Sequence, residues 1–266
     1  MKIENEGRAL MKKIDDTERI NLNKLCSCRK DDSMLLWFLD GNQHCAAWTD
    51  GEEIPEEAVI IAADFCYLLG EVKHPDEIVQ ILLENARYKV IMTGGPQWVA
   101  FMKEYLADRT YSYKRYAIKH EPNAFNKDKL KQLIEKIDSV FEIKKINEDT
   151  YYEVLDIDWA ADGCCFFRSY DDFEANGLGY IVCKEGQLVC IASSYTAYKN
   201  SISITIGTLE EHRRKGLAAA CAASLILDCL ERGIYPEWEA ANLESVALAE
   251  SLGYHFDKAF DVYSLI

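Results

Sequence analysis

Long apolar runs are what this chain most plainly lacks. The longest, at residues 58–63 and 217–227, fall short of the ~20 residues that a bilayer-spanning helix needs. The N-terminus, Met1-Lys-Ile-Glu-Asn-Glu, has no apolar signal core, so the chain reads as cytoplasmic with no membrane partner. An excess of positive charge is also missing. Lys and Arg number 30 against 45 Asp and Glu, a net charge of −15, the opposite of what a nucleic-acid binder requires. Cysteine is present at ten positions, but Cys26-Ser-Cys28 and Cys164-Cys165 do not make the paired spacing of a zinc site, and no metal is expected. A disulfide framework does not fit a long chain without a secretion signal. Cys183, Cys190, Cys221 and Cys229 lie inside apolar runs and read as small buried hydrophobes.

What is present is the composition of a soluble globular protein, 49% hydrophobic and 28% charged, over 266 residues. That length suffices for one large or two ordinary domains. The charge is uneven. Residues 1–139 hold 20 basic against 24 acidic residues, and residues 140–266 hold 10 against 21. An acidic second half suits a cationic amine partner, or serves only for solubility.

The most informative stretch is Glu211-His-Arg213-Arg214-Lys215-Gly216-Leu217-Ala218. Before it, Ser203-Ile204-Thr205-Ile206 alternates as a strand does. After it, residues 217–230 are rich in Ala and Leu without Gly or Pro, a helix pattern. The first N–H groups of a helix have no intrahelical partner, and the dipole places positive charge there. Gly216 lets an oxygen approach the backbone, and Arg213, Arg214 and Lys215 add charge. The expectation is an anion site. Gly233 ends the helix, residues 234–239 form the next strand with Pro236 weakening it, and Asn242 opens a helix ending at Gly253-Tyr254. Residues 256–266 supply a last strand. Upstream, residues 141–146 read as a strand, Asn147 caps a helix to Asp156, and residues 177–183 and 187–195 form a hairpin around Gly186.

In the first half, residues 4–14 and 16–26 read as helical, 34–38 as a strand, and Gly41-Asn42 as a turn. Strands follow at 45–48, 58–62 and 65–69. A helix from Pro75 to about Tyr88 precedes a strand at 90–92, a turn at Thr93-Gly-Gly95, a helix over 97–106, and a strand over 110–119. His120-Glu-Pro-Asn is a break, and residues 127–139 form a polar linking helix. Residues 65–119 thus repeat the element order of residues 202–263, as a decayed duplicate would.

The spacing Arg213-x-x-Gly216-x-Ala218, flanked by strand and helix, resembles the pyrophosphate-binding signature of GNAT acyltransferases. The segment from Asn242 to Gly253-Tyr254 resembles their asparagine-helix-glycine-aromatic segment, and the likeness covers residues 141–266. Gly-Leu-Gly-Tyr180, Ala-Ser-Ser-Tyr195 and Trp238-Glu-Ala-Ala-Asn242-x-x-Ser245 look like the zwittermicin A resistance branch of that family. The resemblance implies acetyl-CoA as cofactor. It would be held by Ile204, Ile206 and Thr208 of a splayed strand, by Arg213, Arg214, Lys215, Gly216, Leu217 and Ala218, and by Asn242 and Ser245.

One position departs from the pattern. Many GNAT enzymes carry a tyrosine acid seven residues after the asparagine, and Ala249 stands there. Ser245 and Tyr254 are the substitutes in view, although Ser245 also reads as a helix-surface hydroxyl and Tyr254 as a core aromatic. Glu174, Glu237 and Glu239 are candidate bases.

The expectation is therefore an α/β chain of two GNAT-like halves, each a mixed, centrally splayed sheet flanked by helices. Residues 1–139 form a degenerate half, in which Gly70-Glu-Val-Lys-His-Pro75 lacks the basic cluster, and residues 140–266 form the acetyl-CoA-binding catalytic half. The expected activity is N-acetylation of a small cationic amine or aminopolyol antibiotic-like molecule, with a homodimer compatible. A non-catalytic acyl-CoA-binding protein is the alternative. An aminoacyl-tRNA-dependent transferase is disfavoured by the acidic balance.

Overall fold

The computed structural model describes residues 11–30, 32–41 and 44–266. The chain divides into two compact units. Among the described residues, the first runs to Lys114 and includes Asp261–Ile266, and the second is Arg115–Phe260. The architecture is mixed α/β, with two sheets flanked by helices.

The first unit opens with β1 (Lys12–Lys13), a 3-10 stretch at Asp16–Leu22, α1 (Asn23–Cys26) and α2 (Ser33–Leu39). Its sheet then forms from β2 (Cys45–Thr49), β3 (Glu57–Ala62) and β4 (Phe65–Gly70), an antiparallel meander. Helix α3 (Pro75–Asn85) carries the chain over to β5 (Val90–Thr93), parallel to β4. Pro75 sits in the first turn of α3 with Asp76 and Glu77, where a missing N–H costs nothing and acids meet the dipole. Helix α4 (Pro96–Tyr105) leads into β6 (Thr110–Ile118), through which the chain enters the second unit. Every residue of β3 is buried, so its sequence is a continuous apolar run after Glu57 rather than an alternation. Val59, Leu68, Ile78, Leu82, Ile91 and Trp98 share one core.

Two expectations need correction here. Residues 34–38 are helical, not a strand. Asp32 accepts hydrogen bonds from the N–H groups of Met34 and Leu35 at 3.1 and 3.3 Å, capping a run of helix formers without one β-branched residue. Of the helix expected over residues 4–14, Lys12–Lys13 form a strand paired with Trp48 and Thr49, and residues 4–10 lie outside the described residues, as does Asn42 of the expected turn.

The second unit contains α5 (Lys127–Glu135), β7 (Phe141–Lys145), α6 (Glu148–Leu155), α7 (Tyr170–Asn176), β8 (Gly179–Lys184), β9 (Gln187–Tyr198) and β10 (Ser201–Thr208). Then come α8 (Leu217–Arg232), β11 (Tyr235–Glu237), β12 (Glu239–Ala240), α9 (Leu243–Leu252) and the start of β13 (Phe256–Leu265), whose end, from Asp261, returns to the first unit, where Tyr263 pairs with Ile91 of β5. The sheet order is β11-β10-β9-β8-β7. Strands β7 to β10 are antiparallel, and α8 returns the chain to β11, parallel to β10. Beyond β11, β12 pairs with β6 through Glu239–Ala117 and Ala240–Tyr116. Leu130 of α5, Leu225 and Ile226 of α8, and Val182, Val189 and Ile202 of the sheet form the core. Helix α7 was not anticipated. No helix among the described residues is long and apolar enough to cross a membrane.

Candidate functional site

Strand β10 presents two unlike faces. Ile202, Ile204 and Ile206 pack into the core with the residues of α8. By strand alternation Ser203, Thr205 and Gly207 lie on the opposite face. A Cβ on Gly207 would meet the Trp159 ring at 3.1 Å, so that indole covers the far end of this face. The partner β11 accompanies β10 only over Ser201–Ser203, matched to Tyr235–Glu237. From Ile204 to Thr208, β10 pairs with β9 alone, and the two parallel strands part. Pro236 gives the short ladder no N–H. At the same level β9 holds one extra residue, Tyr195, between the pairs Ser203–Thr196 and Ile204–Ser194.

The chain leaves β10 into a basic loop. Arg213 Nε donates to the Thr208 carbonyl at 3.3 Å, and Lys215 Nζ donates to the Glu211 carbonyl at 2.9 Å. Arg214 is left-handed at φ 62°, and Gly216, the N-cap of α8, is left-handed at φ 79°. No side chain caps α8, and a Cβ at Gly216 would meet nothing within 4 Å. The first helical bond runs from Ala220 N–H to the Gly216 carbonyl. The start of the helix therefore faces open space, with Arg213, Arg214 and Lys215 exposed around it. Such a corner offers backbone donors, a positive dipole end and exposed cations to an anion. Leu217 is buried and Ala218 half-buried beneath it.

The remaining expected residues fall in three other places. Asn242 turns its Oδ1 to the Ser245 N–H at 2.8 Å and caps α9. Ser245 Oγ accepts the Trp238 indole N–H at 3.1 Å, so its partner is a side chain rather than its own backbone. Tyr254 is buried, donates its hydroxyl to the Pro236 carbonyl at 2.8 Å, and is pushed well above the ordinary phenol range by burial. Glu174 is exposed on α7 and accepts the Tyr170 hydroxyl at 3.1 Å. Glu239 pairs with Arg115 at 2.5 Å, and Glu237 pairs with His120 at 2.8 Å. Glu237 and Glu239 thus flank the point where β10 and β11 part, whereas Glu174 belongs to a different surface. His120 was read as a chain break. Nothing local in the sequence singles it out, since its partner is 117 residues away.

The first unit repeats the strand–loop–helix–parallel strand order at β4, α3 and β5. Its corner is filled from within. Glu57, fully buried, accepts the N–H groups of Lys73 at 2.6 Å and His74 at 3.3 Å through Oε1, and its Oε2 lies 2.7 Å from His74 Nδ1.

A parallel strand pair that splits beside a basic helix start can receive an anionic ligand. The sequence profile of the GNAT acetyltransferases matches residues 24–263, and the chain belongs to that family. An uncharacterised N-acetyltransferase of Bacillus subtilis, YdfB, is 25% identical over 193 residues, 68% of this chain and 67% of that one. The GCN5-related N-acetyltransferase-like protein of Streptococcus suis is 30% identical, with a TM-score of 0.82 over 94% of this chain and 99% of its own. A tandem GNAT protein from the clavulanic acid biosynthesis pathway has a TM-score of 0.53 over 96% of this chain and 98% of its own; at 12% identity that likeness is one of fold alone.

Proposed function

We propose that this protein transfers an acetyl group from acetyl-CoA to an amine, using the second unit, in the cytoplasm. The observation that carries the reading is the corner at Gly216, an uncapped helix start ringed by three basic side chains beside the split of β10 from β11. The residues fit the cofactor. Arg213, Arg214, Lys215 and the first turn of α8 hold the pyrophosphate, with Asn242 and Ser245 at the start of α9 as further contacts. The open edge of Ile204–Thr208 offers backbone donors to an oxygen on which charge builds. Acetyl-CoA, when bound, supplies an activated thioester. The acceptor is a small cationic amine or an aminopolyol of the kind met by the zwittermicin A resistance branch, suited to the acidic second half. The first unit takes no CoA, because its loop before α3 carries no basic cluster and is held by Glu57 through the Lys73 and His74 N–H groups.

A second reading has one observation in its favour. Ala249, where many relatives have a tyrosine acid, is fully buried, and a protein that binds acyl-CoA without transferring it would need no acid there. Calorimetric titration with acetyl-CoA, together with thiol release in the presence of ethanolamine, putrescine, spermidine and glucosamine, separates the two. Binding with transfer is the expected result. Binding without transfer to any amine favours the second reading, and no binding overturns both.

A further inference from the structure

Glu237 is the last residue of β11, and it is matched to Ser203, the last residue of β10 before the strands part. Register partners in a parallel pair point to the same side, so Glu237 shares a face with Ser203, Thr205 and Gly207. That face is opposite the isoleucines that pack with α8. His120 reaches the same place from the end of β6, its Nδ1 2.8 Å from Glu237 Oε1. With a carboxylate on Nδ1, the neutral ring carries its proton there and leaves Nε2 as the acceptor.

The ring is held from several directions. It lies 4.0 Å from the Tyr235 ring. The Tyr235 hydroxyl donates to the Lys119 carbonyl at 3.3 Å and accepts the Glu121 N–H at 3.0 Å, gripping the chain on both sides of His120. Lys119 N–H donates to the His255 carbonyl at 2.9 Å. Even so, the His120 side chain remains 47% exposed. An oriented imidazole with one nitrogen engaged and the ring open to solvent is the arrangement of a proton acceptor. Other charged groups nearby are already engaged: Glu239 with Arg115 and Glu121 with His255. Burial pushes the Tyr235 phenol up to about 12, which leaves it protonated at neutral pH.

We propose that His120 takes the proton from the acceptor amine, with Glu237 as the residue that positions it. The inference rests on the N-acetyltransferase reading. A neutral amine nitrogen gives its lone pair to the thioester carbonyl carbon. The C–N bond forms, the C–S bond breaks, and sulfur leaves with the bonding pair as thiolate. The nitrogen sheds one proton, which passes to His120 Nε2 and then to solvent. Atoms and charge balance without any further reagent.

The test uses the full chain, acetyl-CoA and the same four amines, with kcat/KM followed over pH. His120→Gln should lower kcat/KM by about 10²–10⁴-fold, the span of general-base assistance. It should also change the pH dependence of kcat/KM and leave acetyl-CoA affinity unchanged by calorimetry. Glu237→Gln keeps the imidazole but loosens its orientation, so kcat should fall about tenfold while acetyl-CoA affinity stays at the wild-type value. A purely structural ion pair would change thermal stability in both variants and leave the pH profile alone. Wild-type rates or an unaltered pH profile in His120→Gln overturn the assignment while the N-acetyltransferase reading stands. A wild-type protein that acetylates none of the amines overturns both.

Discussion

The two units turn from strand to helix in the same way and treat the resulting corner oppositely. In the first, β4 and β5 stay paired over four residues, Phe65–Leu68 with Val90–Thr93. The loop after β4 is tight: Gly70 is left-handed, and a Cβ there would lie 1.9 Å from the Glu56 carbonyl oxygen. Lys73 is engaged by Glu56 and lies 3.6 Å from Asp50. The loop before α3 is held by the protein's own Glu57, through the Lys73 and His74 N–H groups. In the second unit β10 and β11 pair over three residues and part, and among the described residues no atom lies within 4 Å of where a Gly216 Cβ would sit. The neighbouring strand shows why. The residue opposite the end of β4 is Glu57, matched to Gly70, whereas opposite the end of β10 it is Cys190, matched to Thr208 and accepting its hydroxyl at 3.1 Å. A carboxylate ties down the loop of the first unit from within, and a thiol stands at the matching position of the second.

The largest effect should come from breaking the filled corner. Glu57→Ala strips a buried acceptor from two N–H groups and an imidazole, and removing one partner of such a buried set costs about 3–5 kcal/mol. Urea melts should show that loss, while the acetyl-CoA affinity of the second unit stays at the wild-type level. Partial recovery of stability in sulfate or phosphate would show that the emptied corner accepts an external anion. Unchanged stability would mean that Glu57 is not what holds it.

Next comes the open corner. Gly216→Val forces a β-branched residue into φ 79°, a strain of about 1–3 kcal/mol, and puts methyl groups in the path of the incoming oxygen. Acetyl-CoA affinity should fall at least about 30-fold, which is 2 kcal/mol. Calorimetry giving the wild-type dissociation constant would remove the cofactor from this loop.

Much of this contrast could be read from residue order alone, and the unreadable parts have physical causes. Residues 217–232 announce their helix through Ala and Leu, and Gly216 and Gly233 punctuate it at positive φ. The helix at 33–39 was missed because a single cap, Asp32, outweighed an apolar run short enough for either structure. Helix α7 had a usable signal: Ser169 accepts the Asp172 N–H, the Ser-x-x-Asp pattern of a capped start. The corner's filling by Glu57 had none, because it depends on which residue of a neighbouring strand lies opposite the loop. The same holds for His120 and Glu237, brought together by the pairing of β12 with β6.

A smaller effect separates structural acids from site acids. Burial alone would raise the Asp228 carboxyl, but hydrogen bonds from Lys145, Tyr180 and Arg232 outweigh it and hold the group below the usual aspartate range. A depressed carboxylate stabilises the fold above its unfolded value and loses that contribution as pH falls through its folded value. Asp228→Asn should therefore cost about 1–2 kcal/mol at pH 7, discounted for its partial exposure. The gap to wild type should close in acid. Urea midpoints at pH 7 and in acid would check this, and an equal gap at both would assign the effect to packing.

The smallest effect should be that of Tyr254→Phe. The hydroxyl is buried and donates to the Pro236 carbonyl inside the very strand that stops pairing with β10. Its loss removes one neutral hydrogen bond, worth about 1 kcal/mol. The ring keeps its packing against Phe125 and Trp238, at 4.8 and 5.2 Å. A thiol leaving group, with an ordinary pKa near about 8.5, departs readily at neutral pH without a strong acid. Turnover should therefore stay far inside the about 10²-fold loss that marks the removal of an acid. A loss of that size with acetyl-CoA affinity intact would make Tyr254 the proton donor, reaching the site despite its burial. The proton path would then run through β11, with His120 on one side of the strand and Tyr254 on the other.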